Sequence, residues 1–207
     1  MAANFNNSAW FYDCLAQFIY GRSIINAQLF LINYIKTGDK VLIVGGGTGW
    51  ILDKITILHP SGLNITYVEV ARNMMMLAKK RNTGKNQVLF LNDTIENVNL
   101  NADFDIVITP FLFDNFTEQT LKKVFNHIAT MLKDRGLWLN ADFQLTGKWW
   151  QGFLLKTMFL FFKVLCNIEA NKLPVIQPHF NSNGYRLHDE KTFYNDFIIA
   201  RVYQTGN

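Results

Sequence analysis

The stretch Lys40-Val-Leu-Ile-Val-Gly-Gly-Gly-Thr-Gly-Trp-Ile-Leu52 constrains the fold more than any other part of the chain. Lys40 to Val44 is a short apolar run that reads as a buried strand, and residues 50–58 have helical patterning. Between them stand Gly45, Gly46, Gly47 and Gly49, which let the backbone turn sharply and let a ligand approach without a Cβ in the way. A strand, a glycine loop and a helix start leave unpaired backbone N–H groups converging on one place. That arrangement suits a nucleotide-like ligand carrying a carboxylate or phosphate. Spacing excludes the dinucleotide fingerprint Gly-x-Gly-x-x-Gly: begun at Gly45 its third glycine falls on Trp50, and begun at Gly47 on Leu52.

The rest of the chain continues the alternation. Residues 64–69, 88–92, 104–109 and 137–142 read as further strands, and residues 71–81 and 117–132 as helices, the second capped by Thr117. Lys79, Lys80 and Arg81 fall in the last turn of the first of these helices, where cations suit the helix dipole. Five short apolar strands separated by helices predict a parallel sheet covered on both faces. Residues 185–191 and 197–203 predict an antiparallel hairpin at the end. The expected fold is therefore α/β, a Rossmann-like three-layer sandwich with a mostly parallel seven-stranded sheet and a C-terminal antiparallel hairpin. A single domain over 1–207 is expected, with an N-terminal helical lid over 1–36 and an inserted apolar helix over 148–170.

Composition narrows the partners. With 49% hydrophobic and 14% aromatic residues the chain can bury a substantial core, which excludes disorder. The net charge of +4 is mild and its cations are scattered, as in Lys79-Lys80-Arg81 and Lys122-Lys123, so no basic patch demands a nucleic acid. Cys14 and Cys166 match no metal or redox spacing, and no metal site is expected. The first residues lack the basic start and apolar run of a secretory signal, so a cytoplasmic location is expected. The helix over 148–168 is rich in Trp, Phe and Leu, but Lys156 and Lys163 lie within it, and an internal cation costs roughly 2.5–3.5 kcal/mol in a bilayer. Three roles stay open for it: lining a pocket, forming a homodimer seam, or resting on a membrane surface.

Gly45-Gly46-Gly47-Thr48-Gly49 resembles the Gly-x-Gly-x-Gly loop of class I S-adenosylmethionine-dependent methyltransferases, and Glu69 follows Gly49 by 20 positions, at a strand end. The resemblance covers roughly residues 10–142, through Val68-Glu69-Val70 with Asn73-Met74, Asn92-Asp93-Thr94-Ile95, residues 104–111 and Leu132-Lys-Asp-Arg-Gly136-Leu137. It implies S-adenosyl-L-methionine as cofactor. On it, Gly45, Gly46, Gly47, Thr48 and Gly49 form the loop and Glu69 accepts the ribose hydroxyls. Val70, Met74, Asp93, Thr94 and Ile95 surround the adenine, and Thr109 and Phe111 lie beside the methionine portion and the methyl group. Asp93 has a second reading as a cap for the loop that follows it.

The family usually carries Asp or Glu two positions before the first glycine, helping to hold the cofactor ammonium; here that position is Ile43. Tyr12, in a Tyr-Asp-x-Leu-Ala pattern resembling the lid of small-molecule members, is a candidate cofactor or substrate contact. Tyr12, Phe111, Phe113 and Trp149 are candidates for the substrate pocket. Methyl transfer from a sulfonium depends largely on positioning, so a base is optional. Asp114 and Tyr12 are the candidate catalytic residues, with His127, His179 and His188 as lesser ones and His127 read as structural. Thr109-Pro-Phe-Leu-Phe113 is unlike the Asn-Pro-Pro-Tyr signature of amide or base methylation, which favours a small aromatic or lipophilic acceptor. The alternative function is a non-catalytic protein that binds the cofactor or a nucleoside in a regulatory or structural role.

Overall fold

The computed structural model describes residues 22–101, 103–166 and 172–205. Its strands are β1 (Lys40–Val44), β2 (Ser61–Val68), β3 (Lys85–Leu91), β4 (Phe104–Pro110), β5 (Leu132–Phe143), β6 (Tyr185–Phe193) and β7 (Ile198–Thr205). They form one seven-stranded sheet in the order β3-β2-β1-β4-β5-β7-β6, parallel from β3 to β5, with β7 antiparallel to β5 and β6 antiparallel to β7. The described helices are α1 (Ser23–Ile32), α2 (Trp50–Leu58), α3 (Arg72–Ala78), α4 (Glu118–Ala129), α5 (Trp149–Cys166) and α6 (Gln177–Ser182). This is the expected sandwich.

Alternation along β1 shows why the sheet is covered twice. Val41 and Ile43 join a cluster with Ala27 and Leu31 of α1, Ile51 and Ile55 of α2, Met75 of α3 and Leu155 of α5. Leu42 and Val44 point the other way, to Leu121 and Phe125 of α4 and Phe180 of α6. That second core is rich in aromatic side chains: Trp138 stacks on Phe125 at 4.6 Å and Phe180 on Tyr203 at 3.6 Å. Strand order runs outward in one direction from β1 and in the other from β4. The crevice between those two strands, at their C-terminal ends, is where open α/β sheets bind ligands.

Several boundaries differ from the sequence expectation, each for a pairing reason. β3 begins at Lys85, ahead of the expected start at residue 88, because Lys85 pairs with Ser61 of a longer β2. β5 begins at Leu132, where a helix end was expected: Phe104 pairs with Leu132 and Ile106 with Leu137, so residues 133–136 bulge, with Arg135 at φ 62°. α4 stops at Ala129. α6 was not anticipated; it is a single short turn of helix that begins Gln177-Pro178. Residues 1–21 of the helical lid expected over 1–36 lie outside the described residues, while α1 packs Ala27, Leu31 and Ile32 fully into the core. α5 buries Leu155 and Met158, yet Trp149 and Phe153 near its start are 85% and 70% exposed. Among the described residues no helix is long and apolar enough to cross a membrane.

Candidate functional site

The glycine loop leaves β1 at the crevice and is held from below and behind. Tyr67, wholly buried at the end of β2, donates its hydroxyl to the Gly47 carbonyl at 3.0 Å. A Cβ placed on Gly46 would lie 2.4 Å from the Tyr67 ring, so only glycine fits there. Gly49 has φ 77° and precedes α2; a Cβ on it would sit 2.7 Å from Ala78 Cα, so the start of α2 packs directly on α3. Met74 places its sulfur 3.9 Å from a Cβ position at Gly47. Arg81 closes the far side, donating Nε to the Thr48 carbonyl at 3.0 Å and Nη1 to Asp53 at 3.1 Å. Read from sequence, Arg81 was a terminal helix cation; α3 ends at Ala78, and the freed side chain clamps the loop instead.

Glu69 follows β2 and is 5% exposed. Its Oε2 accepts the Gly47 N–H at 3.0 Å and its Oε1 the Ala71 N–H at 2.8 Å. Burial raises its carboxyl above the usual range, and the backbone N–H groups of Ala71, Gly47 and Val70 act against that rise. Asn92, at the end of β3, donates its amide to the Glu69 carbonyl at 2.7 Å and the Val70 carbonyl at 3.1 Å, which brings the ends of β2 and β3 together. Asn92 was read only as part of the motif, and this role needs the β2–β3 pairing to be seen. Gly47, Thr48, Glu69, Val70 and Met74 thus share one neighbourhood. Asp93 acts as a local cap through Oδ1, which accepts from Thr94 N at 2.7 Å and Asn97 Nδ2 at 2.8 Å. Ile95 is buried beside Val98 in the aromatic core.

At the end of β4 the side chain of Thr109 turns inward. Its hydroxyl donates to Asn140 Oδ1 at 2.8 Å and accepts from Trp138 Nε1 at 2.9 Å, and the residue is fully buried. Phe111 holds a left-handed backbone at φ 54°, donates its N–H to the Ala141 carbonyl at 2.7 Å and packs its ring on Phe143 at 5.1 Å. A non-glycine residue in that region costs roughly 1–3 kcal/mol, and such positions concentrate at ligand sites. Phe113 is fully buried between Phe125 and Trp138, and Trp149 is exposed on α5, so neither lies with Phe111. Tyr12 lies outside the described residues. His127 bonds the Val98 carbonyl at 2.9 Å, His179 bonds Glu118 at 2.8 Å, and His188 lines a polar depression with Asp105 and Lys133 at the opposite edge of the sheet.

One acid at this edge escaped the sequence reading. Asp142, at the end of β5, is 1% exposed and takes the Phe143 N–H on Oδ1 at 3.0 Å. Asp114 is buried nearby in the 3-10 turn Phe113–Asn115, where Oδ1 accepts from Asn115 Nδ2 at 2.7 Å. Burial pushes the Asp142 carboxyl up to about 7, and burial together with the Asp142 charge pushes Asp114 well above the carboxylate range. The available signal was an aspartate ending an otherwise apolar strand.

Residues 41–136 match the family model described as Methyltransferase domain. A search of curated proteins gives no match. Among solved structures, the chain is similar to one in the complex between the Haloferax volcanii Trm112 methyltransferase activator and a methyltransferase, at TM-score 0.72 and 13% identity over 100% of both chains. It is also similar to a Burkholderia thailandensis 1,6-didemethyltoxoflavin-N1-methyltransferase with bound 1,6-didemethyltoxoflavin and S-adenosylhomocysteine, at TM-score 0.65 and 12% identity over 97% of this chain and 88% of that one. The N-methyltransferase NodS from Bradyrhizobium japonicum WM9 in complex with S-adenosylhomocysteine aligns at TM-score 0.68 and 10% identity over 91% and 89%. At these identities the likeness speaks for the fold, and the domain match joins it to the glycine loop. Residues 41–136 thus carry the match to a methyltransferase domain, set in a fold similar to that of these solved methyltransferase structures.

Proposed function

We propose that the protein transfers the methyl group of S-adenosylmethionine to a small aromatic or lipophilic acceptor at the C-terminal edge of β1 and β4. The observation that carries this reading is the Glu69 carboxylate, which ties Gly47 to Ala71 beside the glycine loop. A carboxylate has about four acceptor sites, and the backbone N–H groups of Gly47, Ala71 and Val70 engage up to three of them. A position therefore remains for a ribose hydroxyl. The loop above it carries no side chain at Gly45, Gly46 or Gly47, so a nucleoside can lie against the backbone. Asp93 keeps Oδ2 for the adenine amino group, with Val70 and Met74 as apolar neighbours of the ring.

The methyl end falls to Phe111, whose strained backbone fixes its ring against Phe143. When bound, the cofactor supplies an activated methyl on a sulfonium; the residues of the chain orient it and exclude water. An aromatic wall of this kind favours an acceptor with a flat or apolar body. Isothermal calorimetry with S-adenosylmethionine and S-adenosylhomocysteine is the first test, and a chain that binds neither would sink the reading. Transfer of a labelled methyl group to phenols, quinols and amines then identifies the accepting class.

A further inference from the structure

Asp114 and Asp142 place two buried carboxylates at the same edge of the sheet, each in the other's field. Among the described residues neither bonds to Lys, Arg or His, and residues 1–21 contain no Lys or Arg. Among the described residues Asp142 Oδ2 is buried with no partner at full hydrogen-bond geometry, although the Phe113 N–H also faces the carboxylate. A buried carboxylate oxygen of this kind costs free energy unless a proton or a cation meets it. Position decides between them. Asp114 lies two residues beyond Leu112, whose Cδ1 is 2.8 Å from a Cβ position on Gly45. Asp142 follows Ala141, whose carbonyl receives the Phe111 N–H. Asp114 thus follows by two positions the residue that packs on the Gly45 turn, and Asp142, at the end of β5, is its electrostatic neighbour. Ile43, where the family carries an acid, is wholly buried in the apolar core and can hold no charge.

We propose that Asp114 and Asp142 together bind the α-ammonium of the cofactor's amino-acid tail, replacing the acid missing at position 43. This rests on the methyltransferase reading above. The ammonium supplies a positive charge to the buried pair and a further N–H donor to Asp142 Oδ2, the atom that receives it. Without the ligand, a proton serves the same purpose, in keeping with the upward displacement of both carboxyls.

Calorimetry on the full chain tests this by comparing S-adenosylhomocysteine with its deaminated analogue, which keeps the adenosine, thioether and carboxylate but lacks the ammonium. The wild type is expected to prefer S-adenosylhomocysteine by about tenfold or more, the scale of a hydrogen bond to a charged group. Asp142→Asn and Asp114→Asn should each reduce that preference to about twofold or less while leaving the affinity for the analogue unchanged. A preference that survives both substitutions, or a wild type that binds the two compounds equally, overturns the ammonium site and leaves the cofactor reading intact. If the wild type binds neither compound, the cofactor reading itself fails. Both variants are near-isosteric, melting curves check their fold, and the wild-type comparison alone can refute the proposal.

Discussion

Gly46→Ala isolates the support beneath the loop. The added methyl would stand 2.4 Å from Cε2, Cζ and the hydroxyl oxygen of Tyr67, roughly 1 Å inside ordinary contact distance. Tyr67 is fully buried and touches Phe90 at 5.6 Å between ring centroids, so the ring has no open space to enter. Either the loop lifts or the ring shifts, and either motion breaks the bond from Tyr67 to the Gly47 carbonyl. Overpacking of this kind costs about 1–3 kcal/mol and the lost hydrogen bond about 0.5–1.5 kcal/mol, together about 2–4 kcal/mol. For a chain of this size that is a fall in Tm of roughly 5–15 °C. Tyr67→Phe in the same background removes one of the three crowded atoms and should restore little, whereas Tyr67→Leu opens the space and should recover part of the loss. Differential scanning calorimetry with and without S-adenosylhomocysteine reads both effects. A Gly46→Ala protein that melts within 1 °C of wild type and binds the cofactor product equally would refute the packing argument.

Glu69→Gln keeps the shape but sets an amide N–H₂ against the Gly47 or Ala71 N–H; a cost of about 1–3 kcal/mol and a fall in cofactor affinity are expected, and equal affinity by calorimetry would remove Glu69 from the ribose site. The Asp142 carboxyl is pushed up to about 7, whereas an unfolded Asp titrates near about 3.9, so the native state holds its proton more strongly across that window. Stability should therefore fall as pH rises from about 4 to about 7, and Asp142→Asn should flatten the slope in urea titrations; a slope that persists unchanged assigns it elsewhere. Thr117 caps α4 by accepting the Thr120 N–H at 3.3 Å, and Thr117→Ala should cost about 1 kcal/mol by chemical denaturation. Trp149 is so exposed that Trp149→Ser should leave the melting curve within about 0.5 kcal/mol of wild type, and a large loss would mean that α5 packs differently.

Much of this protein can be read locally. The run Lys40 to Val44, the glycines after it and the helix from Trp50 obey rules of neighbours in sequence, as do the Thr117 cap and the apolar strands that imply a twice-covered sheet. The departure at Ile43 was equally legible, because a motif position is a matter of counting. What the chain alone does not reveal is where side-chain polar atoms end, since partners far apart in sequence are chosen by strand pairing. Thr109 reads as a ligand contact until the β4–β5 register sets it between Asn140 and Trp138. Phe113 and Trp149 look alike as pocket aromatics, yet packing buries one completely and leaves the other in solvent. Arg81 becomes a clamp on Thr48 only when α3 lies against the start of α2. Asp114 and Asp142 are 28 positions apart and become neighbours only because β4 and β5 run parallel and end together. Local patterning thus determined the scaffold and the loop, whereas burial and long-range pairing decided which partners the polar groups take.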